Sequence, residues 1–308
     1  MYDVAPLLDD PIHNLRTIRD LYRWAVTEME FAGLSYGHGS PDSCEDASFL
    51  ICRALRLPFE RFDMFLDTAL THNELVRIVH LIDRRVHDKT PTAYLIKEAW
   101  LTEHRFYIDE RALIPRSYIA ELLEDDLAPW IEAPYEVSSV LDLCTGSGCL
   151  AILAQGTFPN AQVTGSDISA DALEVAKINR RDYDMEDTLE LVQGDLFENL
   201  QGRRFDLILS NPPYVTTRSM EALPAEYRHE PALALAAGED GMDVVVRILR
   251  EAADHLTEKG IIVVEVGDGL EAVEARFPGL PLTWLSVSGG DDQVFMATAE
   301  DLRAYFAA

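Results

Sequence analysis

Val140-Leu-Asp-Leu-Cys-Thr-Gly-Ser-Gly-Cys-Leu150 begins as an apolar run, passes through a turn of small residues and continues in a helical pattern. The run Ser139 to Leu143 has the length and burial of a strand inside a sheet covered on both faces. Gly146 and Gly148 permit positive φ and let a ligand approach the backbone, and the helix that follows offers unpaired N–H groups. A turn of this kind after the first strand of an open α/β sheet forms the usual nucleotide crevice. Taken alone the signal is weak, its alternative being a tight strand-to-helix turn, and with Cys144 and Cys149 in place it does not match the GxGxxG dinucleotide fingerprint.

Downstream of this turn, strand and helix patterns alternate. The strand candidates are Ser139–Leu143, Gln162–Asp167, Leu189–Gln193, Phe205–Ser210, Gly260–Val266, Leu282–Val287 and Val294–Ala299. The helix candidates are Cys149–Gln155, Ala170–Arg181, Met242–Leu256 and Leu270–Arg276. Strands separated by helices imply right-handed crossovers and a mostly parallel seven-stranded sheet. Only GGDDQ separates the last two strands, so the last strand is expected to be antiparallel.

Upstream the period is helical. Leu15, Ile18, Leu21, Tyr22, Ala25 and Met29 recur at three-and-four spacing, as do Leu70, Leu75, Ile78, Leu81 and Ile82. A helix between them carries Ala47, Leu50 and Leu55 and stops before Pro58. Residues 1–88 are therefore expected to form a small helical bundle and residues 89–111 a β-hairpin linker, with strands at Ala93–Trp100 and His104–Ile108. Residues 112–308 are expected to form the α/β domain, opened by a helix through Ile119, Leu122 and Leu123.

Three further stretches end strands. Asp167, about 20 residues after the glycines, is placed to accept both hydroxyls of a ribose; the alternative is a helix N-cap region opened by Ser169 and Asp171. Asp195 in Gly194-Asp195-Leu196-Phe197 reads either as the acceptor for an adenine amino group beside apolar Leu196 or as a solvated turn residue. Ser210-Asn211-Pro212-Pro213-Tyr214-Val215 is the most specific. Two prolines end the strand and remove two donors, leaving carbonyls to accept. A planar NH₂ group fits between the Asn211 side-chain oxygen and the Pro212 carbonyl, with Tyr214 against its π face.

DLCTGSG, Asp167, GDLF and NPPY together resemble the S-adenosylmethionine-dependent class I methyltransferases that modify planar amide or amino nitrogens. Leu113-Ile-Pro-Arg-Ser117 and Leu223-Pro-Ala-Glu-Tyr-Arg-His-Glu-Pro-Ala-Leu-Ala-Leu-Ala-Ala-Gly238 narrow the likeness to the HemK-type protein glutamine methyltransferases. Within these, the chain is similar to the branch that acts on large-subunit ribosomal protein L-three, from the helical region through Phe295. The resemblance implies a Rossmann-like fold and S-adenosylmethionine as cofactor, with S-adenosylhomocysteine as product and no metal. It implies cofactor contacts at Asp142, Cys144, Thr145, Gly146, Ser147, Gly148, Asp167, Ile168, Asp195, Leu196 and Asn211, and an acceptor site at Asn211, Pro212, Pro213 and Tyr214. Its other branches act on the GGQ glutamine of release factors or, more distantly, on DNA and RNA bases.

Composition discriminates among these. The 308 residues carry 26 Lys and Arg against 54 Asp and Glu, a net charge of −28, and the lysines are Lys89, Lys97, Lys177 and Lys259. Little of this can build a phosphate-binding face, which argues against stable DNA binding. The acidity suits attraction of a basic ribosomal protein, or equally solubility in a salty cytoplasm. Apolar runs such as Ile261 to Val264 are far too short for a bilayer, and MYDVAPLLDDPIHNL shows no signal peptide, so a cytoplasmic protein is expected. Cys44, Cys52, Cys144 and Cys149 have neither zinc-site nor disulfide spacing. Because every candidate acceptor carries an NH₂, selectivity is expected from the hairpin Ala93 to Ile108, the segment Leu113 to Ser117 and the loop Leu223 to Pro231, whose Glu226, Arg228, His229 and Glu230 suit a polypeptide.

Overall fold

A computed structural model describes residues 9–307, so most of the N-terminal stretch read for a targeting signal lies outside the described residues. The chain divides into two compact units, one of residues 1–98 with 224–229, the other of 99–223 with 230–308.

The smaller unit is helical: α1 (Asp9–Asn14), α2 (Ile18–Ala32), α3 (Ser43–Leu55), α4 (His72–His87) and α5 (Thr92–Ile96). Local signals set the ends. Thr17 with Asp20 and Thr71 with Glu74 form reciprocal capping boxes at α2 and α4, and Gly33 closes α2 at φ 57°. Ile18, Leu21, Ala25 and Met29 of α2 pack against Leu50 and Ile51 of α3 and Leu75, Ile78 and Ile82 of α4. Where a strand is expected from Ala93, the chain instead makes the single helical turn α5. Pro91 starts it, its carbonyl accepting from Tyr94 and Leu95, and Lys97 ends it in the left-handed region at φ 57°.

The 224–229 excursion is held within the helical unit by buried charge. Glu226, 2% exposed, accepts from the Ser35 N–H at 2.9 Å and pairs with Arg85, which also donates to Asp46 at 2.7 Å. The His38 ring lies against that of Tyr227, centroids 4.3 Å apart and tilted by 51°.

The larger unit opens with a short hairpin, β1 (Ala99–Leu101) and β2 (His104–Phe106), then α6 (Ile119–Glu124). The alternation follows: β3 (Ser139–Leu143), α7 (Cys149–Thr157), β4 (Gln162–Asp167), α8 (Ala170–Asp182), β5 (Leu189–Gln193), β6 (Phe205–Ser210), α9 (Thr217–Ala222), α10 (Asp243–His255), β7 (Leu256–Glu265), α11 (Leu270–Arg276), β8 (Thr283–Val287), β9 (Gly290–Thr298) and α12 (Ala299–Phe306). The seven strands lie in the order β5-β4-β3-β6-β7-β9-β8; β9 runs antiparallel to both its neighbours and the other pairings are parallel. Strand alternation feeds two cores: Val140, Leu207, Leu209 and Val263 face one, while Leu141, Leu143, Ile208 and Val264 face the other. β7 starts at Leu256, earlier than its pattern suggests, because a bulge lets Leu256 pair with Phe205.

Register positions the site. Leu143 pairs with Ser166 on one side and Ser210 on the other, and Ser210 pairs with Val264. Cys144, Asp167, Asn211 and Glu265 therefore leave the sheet along one edge, at the carboxyl ends of parallel strands where strand order reverses.

Candidate active site

Two adjoining cavities open at this edge, and Leu113, Cys144, Gly146 and Asn211 line both. Their walls are the turns after β3, β4 and β6 together with residues of 111–117 and 231–234.

The β3 turn is made by backbone conformation. Cys144, Gly146 and Gly148 have φ of 61°, 56° and 80°. A Cβ on Gly148 would stand 3.2 Å from Ala176 Cβ, so this glycine is needed for close packing of α7 on α8 as well as for its φ. Asp142 lies beneath the turn, its Oδ2 accepting from Thr145 Oγ1 at 2.5 Å and from the Ala151 N–H at 3.0 Å. Its Oδ1 is buried with no protein donor, and burial pushes the carboxyl up to about 7 against the pull of those two donors. Ser147 is buried and its carbonyl accepts from Asn179 at 2.9 Å. Of this group Cys144 and Gly146 line both cavities, while Asp142, Thr145 and Ser147 line only the smaller.

Asp167, at the end of β4, accepts from the Gly146 and Ser169 N–H groups, each at 2.8 Å, and so ties the two turns together. Burial raises its pKa, opposed by those donors. Asp167 also lines the larger cavity. Ile168 beside it is 47% exposed, an apolar surface on the same wall.

The β5 turn does not join them. The Asp195 carboxylate pairs with Arg247 at 2.9 Å in an exposed ion pair, and Leu196 is buried in the core. Neither lines the two cavities. Asp195 and Leu196, expected from the sequence as cofactor contacts, thus lie outside the lining of the two cavities, and Arg247 of α10, 52 residues away, holds the Asp195 carboxylate.

On the other wall, Asn211 donates through Nδ2 to the Arg116 carbonyl at 3.2 Å. With its nitrogen committed there, Oδ1 is the atom left for an N–H in the cleft. Pro213 lines the larger cavity and Pro212 is buried. Tyr214 packs on the turn after β7: a Cβ on Gly267, at φ 53°, would stand 2.8 Å from the Tyr214 ring. Burial first, then the neighbouring Glu265, drives the Tyr214 hydroxyl pKa well up.

Two buried carboxylates hold the segment before α6, Glu230 of the loop already read as selectivity-bearing and Glu265, which the sequence reading did not single out. Glu230, 4% exposed, takes both guanidinium nitrogens of Arg116 at 2.6 and 2.7 Å and the Ile114 N–H at 3.1 Å. Glu265, 3% exposed, accepts from Ser117 Oγ at 2.5 Å and the Tyr118 N–H at 2.9 Å, and burial pushes it up to about 7. Glu226 and Glu230, read from the sequence as part of a loop suited to a polypeptide, are both spent inside the protein, each paired with an arginine. His229 contacts the Asp88 carbonyl at 2.8 Å, within the helical unit.

The donors present fit S-adenosylmethionine. The cleft has a positive-φ turn that lets a ligand reach the backbone, the Asp167 carboxylate beside it, and an apolar wall at Ile168 and Ala172. No helix among the described residues is long and apolar enough to cross a membrane.

Residues 126–226 match the family model described as Methyltransferase small domain. Among curated proteins, the chain is 49% identical to a ribosomal protein uL3 glutamine methyltransferase of Burkholderia pseudomallei, over 94% of this chain and 96% of that one. It is 50% identical to the protein of the same name from Bordetella pertussis, over 94% and 97%, and 48% identical to that from Neisseria meningitidis serogroup B, over 96% and 97%.

Proposed function

The chain belongs to the family of ribosomal protein uL3 glutamine methyltransferases, and on that footing we propose that it methylates the side-chain amide nitrogen of a glutamine in ribosomal protein uL3. Bound in the cleft, S-adenosylmethionine supplies an electrophilic methyl group on a sulfonium. Asp167 is the acceptor for the ribose hydroxyls, and Gly146 lets the cofactor lie against the turn.

The supporting observation is Asn211, which lines both cavities with its nitrogen held by Arg116 and its oxygen left to accept. An amide nitrogen is a poor nucleophile, because its lone pair is delocalised into the carbonyl. Asn211 Oδ1 and the Pro212 carbonyl hold both N–H groups of the acceptor, aim the nitrogen at the methyl carbon and stabilise the positive charge that grows on it. This is catalysis by orientation and electrostatics. No base is required before transfer, since the proton leaves once the nitrogen is alkylated.

The −28 charge favours a basic protein over a phosphate chain as partner, and the proposed substrate implies a cytoplasmic working compartment. The test is to incubate the enzyme and methyl-labelled cofactor with ribosomal proteins from a strain lacking it, beside duplex and single-stranded DNA. Label on a glutamine of uL3 is the expected result; label in DNA, or in protein at another residue type, would overturn the assignment.

A further inference from the structure

The Asn211 carboxamide can serve the reaction only in one of its two flipped orientations. With Oδ1 and Nδ2 exchanged, a donor would face the donors of the substrate amide. What selects the orientation is the Arg116 carbonyl, 95 residues away in sequence. That carbonyl belongs to a segment with no regular secondary structure of its own, between the hairpin and α6. Two buried carboxylates grip it from opposite ends. Glu230 takes the Ile114 N–H and the Arg116 fork, and Glu265 takes the Ser117 hydroxyl and the Tyr118 N–H. Five donors from four residues of the stretch 114–118 are thus spent on two side chains. The Arg116 guanidinium, which would otherwise be a natural binder for a substrate or cofactor carboxylate, is committed to Glu230.

We propose that Glu230 and Glu265 are positioning residues for methyl transfer: by clamping residues 114–118 they fix the Arg116 carbonyl, which in turn fixes Asn211 with its oxygen toward the acceptor amide. They touch neither substrate nor cofactor. The inference rests on the reading of Asn211 given above, and the experiment separates the two.

Single-turnover label transfer to uL3 at saturating cofactor is measured for Glu230→Gln, Ser117→Ala, Asn211→Ala and the Glu230→Gln/Asn211→Ala double variant, with cofactor affinity and melting temperature for each. In Glu230→Gln an NH₂ faces the Arg116 fork, and at least a tenfold fall in rate is expected with cofactor affinity within threefold of wild type. Ser117→Ala, a small change that keeps the fold, is expected to lower the rate about threefold. In the Asn211→Ala background Glu230→Gln should lower the rate no further, because the residue through which it acts is gone. A role confined to stability would instead lower the melting temperature and leave the rate of the folded enzyme unchanged. Wild-type rates in both Glu230→Gln and Ser117→Ala, or losses that multiply with Asn211→Ala, would overturn the clamp. Should Glu230→Gln not fold, a wild-type rate in Ser117→Ala overturns it alone. A wild-type rate in Asn211→Ala would instead refute the acceptor role of Asn211.

Discussion

The turns after β3 and β6 end neighbouring parallel strands at the same height in the sheet, yet they are shaped by opposite means. The β3 turn takes its form from its own backbone: three residues at positive φ, with Asp142 beneath and Asp167 one strand away. The β6 turn has stiff prolines, and the group that matters, the Asn211 carboxamide, takes its orientation from Arg116, Glu230 and Glu265. A cofactor used by many enzymes can be met by a local, self-contained turn. A weak nucleophile needs a single oxygen aimed in a single direction, and that precision comes from long-range packing.

If the division is real, damage to the two turns separates cleanly. The largest effect is expected from Asn211→Ala, which should leave cofactor affinity intact and lower turnover by about 10²–10³, the usual loss for a transition-state hydrogen-bond partner. Asp167→Ala should do the reverse. It removes the ribose acceptor and frees the Gly146 and Ser169 N–H groups, so titration calorimetry should show affinity for S-adenosylmethionine weakened by about 1–3 kcal/mol. Unchanged affinity would remove Asp167 from the cofactor site.

Gly267→Ala is a sharper probe of the acceptor side. Its φ of 53° and the Tyr214 ring at 2.8 Å both resist a methyl group, so a stability loss of about 1–2 kcal/mol is expected in urea titration, together with reduced turnover. A variant as stable and active as wild type would show that Tyr214 is not seated there.

The β3 turn also predicts a pH effect. Asp142 is raised to about 7 from an ordinary carboxyl value near 3.8, so the folded state disfavours its ionised form. Its contribution to stability is greatest below the unfolded pKa and falls as pH rises to about 7, by up to about 1.4 kcal/mol per pH unit. Asp142→Asn should flatten that part of the stability profile between pH 4 and 7; an unchanged slope would mean the carboxyl is not held neutral. Smallest of all, Asp195→Ala should change cofactor affinity by less than about threefold, since its partner is Arg247 in an exposed ion pair. A tenfold loss would restore Asp195 to the cofactor site.

The same contrast decides what could be read from the sequence. β3, β4, β5 and β6 begin and end where their patterns say, because buried parallel strands between glycine, proline and capping residues are locally specified. Thr17 with Asp20 and Thr71 with Glu74 mark their helices for the same reason. α12 is absent from the sequence reading, since its cap, Thr298 with Asp301, follows a strand without a break. Pro91 was the lone sign that Thr92–Ile96 coils into a helix despite its apolar, strand-like composition. In the site, the glycines, Asp167 and Asn211 stand at strand ends and can be found by counting. The Asn211–Arg116, Arg116–Glu230 and Ser117–Glu265 contacts span 95, 114 and 148 residues, and no local pattern encodes them. The Asp195 partner is of the same kind: the turn marks an acid, but only tertiary structure supplies Arg247.

The measurement that bears most directly on the account is methyl transfer to isolated uL3 in a single turnover, read as a function of S-adenosylmethionine concentration for Asn211→Ala and Asp167→Ala side by side, with the modified residue mapped by mass spectrometry. The account predicts methylation of a glutamine, a deficit in Asp167→Ala that largely disappears at saturating cofactor, and a deficit in Asn211→Ala that no concentration of cofactor repairs. Rescue of Asn211→Ala by cofactor, or a loss in Asp167→Ala that persists at saturation, would contradict it.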